Sequence, residues 1–566
     1  MKKTIKSILL IGALTMGAGA VTSCSDDDDS YMSRLFRPVV SSDNIVTGID
    51  ADMKSYITFS WDDYADANQY AITLSTEDGT TSLTKNVEGS EVTFTDLQYD
   101  INYNIAIKAM NTLNGLESKD YKFSVRSADY PTRLKAIETT DIIDVGARIK
   151  WDNTDGDANY DSLQIVQTSN DSIVHTYALT EQDKANAEKI VSGLKATTNY
   201  QVKAYIAGAY QGKRSFKTTA SEDYGSDVVI DMRKVDENDI YKCLSISSES
   251  SFDGLLDSLI ATYPDQNITI VLPGGADVRM ATMKLKATTG RIKLTTGLTL
   301  AGNANVCVAG NFDVTAGMAV GGVEFDKLNF TEAPLDGKNK GDSNFGGTYL
   351  FNFDGKDATI GSVKISNCNI KYKRGVCRIK NAVAIGSFTI DNCVVDSIGG
   401  YGIVNCDANN STVDNVTVTN CTFSNCEKFI VVSSSKSGNI INNVQVANCT
   451  FVYCIADSKP FVDMKDRELQ TYTLTNCLFG APGPLNKDAV ANGITGFSGS
   501  IAPTCNDCYF ASDFLWQKDA TTGEVKAALS GTTLKATTQE LFKSPLTSDF
   551  TIIAKEANGV GDPRWY

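Results

Sequence analysis

The chain is 566 residues long, 42% hydrophobic and 21% charged, with a formal net charge of -16. That length leaves room for several domains. The acidic balance and the lack of any basic stripe exclude a nucleic-acid-binding role.

In chain order, Lys2, Lys3 and Lys6 precede an apolar run from Ile8 to Ala20 that ends in Val21-Thr22-Ser23-Cys24. The run is shorter than a typical membrane-spanning helix. It resembles a bacterial lipoprotein signal, which implies cleavage after residues 1–23 and acylation of Cys24 as the new first residue. Ser25 and the four aspartates Asp26 to Asp29 follow. They resemble the acidic export tag of Bacteroidetes surface lipoproteins, although a solvated charged tether over residues 24–35 explains them equally well. The resemblance implies a lipid-anchored protein in the outer membrane, facing the cell exterior.

Two segments then echo each other. ITFSWDDYADANQYAITLS (57 to 75) and VTFTDLQYDINYNIAIKAMN (92 to 111) are matched by ARIKWDNTDGDANYDSLQIV (147 to 166) and KIVSGLKATTNYQVKAYIAG (189 to 208). Each has a Trp on an early strand and, later, a Leu six residues before a Tyr that opens an alternating strand. The pattern resembles the fibronectin type III β-sandwich, with Trp61 and Trp151 as core residues and Tyr103 and Tyr200 at the corners. The modules are expected over residues 36–128 and 131–220, acting as spacers or docking units. The only His, His175, falls in the second.

After a linker around residues 221–226, SFDGLLDSLIATYP (251 to 264) has helical spacing and precedes ITIVLPGG (268 to 275). A helix there would cap the exposed ladder edge of a solenoid. Early coils are read at 298 to 310 and 323 to 330. The clearest signal follows. Asn-Cys pairs at Asn367, Asn392, Asn420, Asn448 and Asn476 recur every 25 to 28 residues, each flanked by alternating apolar residues. The expected fold is all-β, with a right-handed parallel β-helix over residues 227–566. Alternation places Cys and Phe in inward columns, and the Asn residues form a structural ladder, each bonding the backbone amide of the next coil. Thiols recurring once per coil, with no His nearby, do not make a metal or nucleophile site. With Cys24 lipidated, 13 of the 14 cysteines remain, so full pairing is impossible; they are expected to be free except for Cys505 and Cys508.

The basic segment KYKRGVCRIK (371 to 380) supplies Lys371, Lys373, Arg374, Arg378 and Lys380, and aligned later coils bring Asp463, Lys465 and Arg467 to nearby rows. With Cys377 and Ile379 inward, Arg378 and Lys380 point outward. This patch is the candidate surface for an anionic glycan, against the ordinary role of outer charges in solubility. The aromatics Tyr349, Phe351, Tyr372, Tyr401, Phe429 and Tyr453 are assigned mainly to the core, and the insertion at 331 to 347 to a loop beside the groove. Arg378-Ile379-Lys380 copies a polygalacturonase motif, but that family also needs a Gly-His-Gly segment and a carboxylate cluster, and no His lies in the helix. A β-eliminating polysaccharide lyase would need a base, for which Arg378 and Lys380 are candidates, and Ca²⁺ to neutralise the uronate.

The layout, the coil motif and the GDPRWY ending (561 to 566) resemble Bacteroidetes lipoproteins with a pectate lyase-like β-helix, whose domains carry no assigned function. The resemblance covers residues 227–566. It implies a plant-type, pectic polysaccharide as partner, alongside other glycan-uptake proteins. Three functions follow as expectations: capture of glycan, lyase activity on uronate chains, or a structural and adhesive role.

Overall fold

The computed structural model describes residues 34–566 apart from 155, 157, 235–251, 281, 287–288, 333–346, 409, 434–437, 466–470 and 500–501. The signal segment, Cys24 and nearly all of the tether lie outside the described residues. The chain forms two compact units, one ending at Thr132 and the other running from Arg133 to Tyr566.

The first unit is a β-sandwich. Strands Ile45–Ile49, Ser55–Ser60 and Glu91–Leu97 form one sheet, and Ser82–Val87, Gln69–Thr76, Asn102–Asn111 and Tyr121–Arg126 the other. Strict alternation buries Ile57 and Phe59 against Tyr70, Ile72 and Leu74, as a half-buried sheet requires. Trp61 lies in this core, and the Tyr103 hydroxyl accepts the Gln98 backbone N–H at 3.0 Å. The sandwich that opens the second unit repeats the device with Trp151 buried and Tyr200 accepting from Lys195 N at 3.0 Å. Both sandwiches are fibronectin type III-like.

The remainder is a parallel β-helix with a core that runs its whole length. Three sheets stack along it, of ten, ten and eight strands among the described residues. Each full coil contributes one strand to each sheet in turn, as in Thr412–Thr419, Thr422–Cys426 and Ile430–Val432. Phe423, Phe451, Phe479 and Phe510 stack at centroid spacings of 5.1, 5.0 and 4.9 Å, close to the strand spacing of about 4.8 Å.

The Asn residues explain how the chain turns from the first sheet to the second. Asn367, Asn392, Asn420, Asn448 and Asn476 all have φ between 51° and 55°. Asn tolerates that left-handed conformation better than other residues with a side chain, because its short amide bonds locally. The expected amide contact is corrected here. The corner N–H groups bond neighbouring backbone carbonyls, such as Asn448 N to Thr475 O at 3.0 Å, so the side chains bond each other. Asn476 Nδ2 donates to Asn448 Oδ1 at 3.0 Å, Asn448 to Asn420 at 3.1 Å, and Asn392 to Asn367 at 2.7 Å, with Asn367 reaching Asp326 Oδ1 at 2.7 Å.

The next residues form the buried Cys column, Cys368 to Cys477, continued by Cys508. Cys421 Sγ donates to Thr419 O at 2.9 Å, and burial pushes its thiol well up, so it stays neutral. Every described cysteine is free. That corrects the expectation for Cys505 and Cys508: Cys508 continues the Cys column, whereas Cys505 lies on the first sheet opposite Leu474.

The first coil is capped, and the C-terminal tail docks against the side of the helix. Helix Phe252–Thr262 packs Leu256, Leu259 and Ile260 over the first coil. The segment read as a linker is instead fastened down: Glu222 accepts Lys327 Nζ at 2.8 Å and the Tyr224 hydroxyl at 2.7 Å. Arg233 binds Asp144 of the second sandwich through both carboxylate oxygens, at 2.9 and 3.0 Å, and Asp231 as well. Asp144 is fully buried. A buried bidentate pair of this kind fixes geometry and is costly to break, so the second sandwich is part of the solenoid's body and no loose spacer. At the far end the GDPRWY tail lies on the outer face of the second sheet. Asp562 accepts Thr422 Oγ1 at 2.7 Å, Trp565 Nε1 donates to the same oxygen at 2.6 Å, and Arg564 Nη2 bridges Asn392 Oδ1 and Asn420 O.

Asn448→Gly keeps the corner conformation and loses the ladder bonds, so it should cost about 1–2 kcal/mol. Asn448→Val should cost about 1–2 kcal/mol more, because a β-branched residue also resists positive φ. Equal denaturation midpoints for the two variants would refute the left-handed corner as the reason for Asn.

Candidate functional site

The third sheet carries the candidate site. Its strands include Tyr349–Phe353, Gly375–Lys380, Val404–Ala408, Ile430–Val432, Pro460–Asp463 and Thr495–Ser498. Register puts Phe351, Cys377, Val404, Ile430 and Val462 in one column, pointing into the core. Asn352, Arg378, Asn405, Val431, Asp463 and Ser498 form the adjacent one, pointing out. Arg378 and Lys380 therefore face outward, as the alternation predicted.

What surrounds Arg378 is more specific than a charged strand. Its Nε donates to Asp407 Oδ2 at 2.8 Å, and Nη2 reaches the same oxygen. Its guanidinium lies 5.5 Å from the Tyr349 ring centroid and 5.0 Å from that of Tyr401. Exposed Arg374 lies 4.7 Å from Tyr401 and 5.7 Å from Tyr349. The two rings meet edge to face at 5.1 Å. Gly375 makes this closure possible, since a Cβ there would stand 2.7 Å from Tyr401 Cβ. Two cations thus grip a pair of aromatic rings, each contact within cation–π range. Tyr349 is buried, and desolvation pushes its phenol up to about 12. Tyr401 is half-buried and presents part of its ring outward.

The other charges are paired. Lys380 Nζ is 2.8 Å from Asp354, and Lys465 Nζ is 3.1 Å from Asp463. Asp463 is buried and also accepts Ser498 Oγ at 2.8 Å. It lies three strands from Arg378, about 14 Å at the usual spacing. The basic segment does not form one patch. Lys371 faces out from the second sheet. Lys373 is fully buried, with Nζ donating to Thr348 Oγ1 at 2.9 Å. The cause is Tyr372, whose φ of 59° interrupts the second-sheet strand Asn369–Lys373 and shifts the alternation, so Lys373 falls into the interior column of Ile398 and Cys426. Arg467 and residues 333–346 of the insertion lie outside the described residues.

The site's chemistry favours holding an anion over removing a proton. Burial alone would lower the Arg378 pKa, but the hydrogen bond and charge of Asp407 outweigh it and raise it. A guanidinium made harder to deprotonate is a poor base. Among the described residues no three His, Cys, Asp or Glu side chains converge on one point. The sequence missed Asp354 and the pairing of Tyr349 with Tyr401, because those contacts join different coils that only the folded register brings side by side.

Two domain families match the chain. One is described as Domain of unknown function (DUF4957), over residues 281–426, and the other as Domain of unknown function (DUF5123), over residues 444–565. Both fall on the one β-helix, whose first sheet runs unbroken from Thr412–Thr419 to Ile440–Ala447. No curated protein matches. Among solved structures the chain is similar to the two fibronectin type-III domain segment from chicken tenascin, at 15% identity over 31% of this chain and 97% of that chain, with a TM-score of 0.17. It is also similar to the chicken CNTN1 FN1-FN3 domains, at 13% identity over 32% of this chain and 67% of that chain, with a TM-score of 0.14.

Since Lys373 is interior, Lys373→Ala should lower stability by about 2–4 kcal/mol through lost packing and a lost hydrogen bond, while leaving binding at the Arg378 cluster unchanged. Weakened glycan binding in a variant of undiminished melting temperature would show that Lys373 acts at the surface.

Proposed function

We propose that this is a lipid-anchored lipoprotein of the Bacteroidetes type, held at the outer membrane through Cys24 and facing outward, whose β-helix captures an extended acidic polysaccharide of the pectic class and works beside glycan-uptake proteins. The observation that carries the reading is the cluster of Arg374, Arg378, Tyr349 and Tyr401 on the outer face of the third sheet. A guanidinium fork suits a uronate carboxylate, and a Tyr ring beside it offers an apolar platform for a sugar face. Asp407 pins the Arg378 guanidinium in place, so less ordering entropy is lost on binding. The raised Arg378 pKa favours capture over lyase chemistry.

Arg374→Ala and Tyr401→Ala should each weaken binding of polygalacturonate by about tenfold, roughly 1.4 kcal/mol, with affinity falling as salt rises. Absorbance of the unsaturated uronate product should stay flat with Ca²⁺ present. A rising trace that Arg378→Ala abolishes would make the protein a lyase, and wild-type affinity in both variants would remove the cluster from the binding site.

The anchor has its own test. Cells fed labelled palmitate should label the wild-type protein and not Cys24→Ala, which should be released from the membrane fraction. Labelling that survives the substitution would refute Cys24 as the attachment point.

A further inference from the structure

The second sheet carries a different polar face. Its outward column runs through Asp277, Asn305, Asn329, Asn369, Val394, Thr422 and Thr450. The C-terminal tail covers the last two positions, through Asp562 and Trp565 on Thr422 and the Asp562 backbone on Thr450. The first four are open and form a second ladder: Asn305 Nδ2 donates to Asp277 Oδ1 at 2.8 Å, Asn329 to Asn305 at 2.9 Å, and Asn369 to Asn329 at 2.8 Å. This ladder floors a trough of about 710 Å³ with Tyr372, Lys371 and Asp396 on one side and Ser548 of the tail on another. The volume falls within the range of ligand sites. Three strand spacings make the ladder about 14 Å long.

We propose that this trough is a second carbohydrate subsite, taking a short, neutral, hydroxyl-rich oligosaccharide segment. It rests on the capture reading only for the class of ligand. Asn305 and Asn329 each use one N–H and one oxygen lone pair along the column, Asn369 uses one N–H, and Asn329 Nδ2 also reaches Asn303 O at 3.4 Å. A carboxamide carries two N–H groups and two oxygen lone pairs, so the column keeps an N–H on Asn305 and on Asn369 and oxygen lone pairs on all three amides. Sugar hydroxyls, which both donate and accept, match such a row, whereas a carboxylate can only accept. The charges select in the same direction. Among the described lining residues Asp277 and Asp396 stand against one cation, Lys371, so a polyanion is repelled here and attracted at the Arg378 cluster. Half-buried Tyr372 supplies an aromatic edge. The tail covers the Thr422 and Thr450 end of the column, so the trough is closed on that side.

The test titrates the signal-free chain with xylo-, galacto- and arabino-oligosaccharides and, separately, with oligogalacturonate. Asn369→Ala and Tyr372→Ala should each weaken at least one neutral ligand about tenfold and leave oligogalacturonate unchanged. Arg374→Ala should do the reverse. Because Tyr372 sits at a positive φ within its strand, Asn369→Ala, at an exposed site, guards against misfolding. If no neutral ligand binds the wild-type chain, or if both trough variants bind as it does, the trough proposal is overturned while capture of acidic glycan stands. If trough variants lose only oligogalacturonate, the trough belongs to the acidic site and the proposal is likewise overturned.

Discussion

The corner between the first and second sheets is the constraint on which the β-helix depends. A single residue in the left-handed conformation there turns the chain sharply enough for both flanking strands to keep pairing with the coils above and below. Only Gly or Asn adopts that conformation readily, and Asn adds a side chain that bonds its equivalent in the next coil. Repetition of the corner fixes register. Once register is fixed, Cys and Phe must stack in their own columns, and every outward position on the third sheet is decided. A slip of one residue would move Arg378 into the core and Cys377 onto the surface.

That same periodicity decides how charge is handled. Outward columns bring residues of consecutive coils within a strand spacing of each other, so a cation soon meets an anion from a neighbour. Arg378 with Asp407 and Lys380 with Asp354 obey this, and Lys465 pairs with Asp463 two residues back in its own coil. Most of the outer charge is therefore spent locally, and what distinguishes the Arg378 site is the pair of tyrosines. An aromatic platform beside a fixed guanidinium is more selective than charge, because it constrains the shape of the ligand as well as its sign.

The sequence made the solenoid legible because the Asn-Cys pairs repeat, and the sandwiches legible because Trp and corner Tyr recur at matched spacing. The outward placement of Arg378 and Lys380 followed from alternation alone. What could not be read was anything that breaks alternation. The positive φ of Tyr372 resets the inside-outside count, which sent Lys373 to the core and separated Lys371 from Arg374 by a sheet boundary. Long-range docking was equally hidden. Nothing in GDPRWY announces that Arg564 will interrupt the Asn ladder between Asn392 and Asn420, nor does Glu222 in an apparent linker announce its bond to Lys327.

A chain of net charge -16 is at first sight a poor receptor for a polyanion, and the resolution lies in distance. At physiological ionic strength the screening length is about 8 Å, shorter than the roughly 14 Å that separates Arg378 from Asp463 along the outer column. An approaching carboxylate therefore feels chiefly Arg374 and the Arg378–Asp407 pair beside Tyr401, while the more distant acidic surface is screened. The same reasoning limits the reach of those cations to their own face of the helix. Asp277 and Asp396 on the second sheet keep their own local sign, so one solenoid can present two faces with opposite preferences.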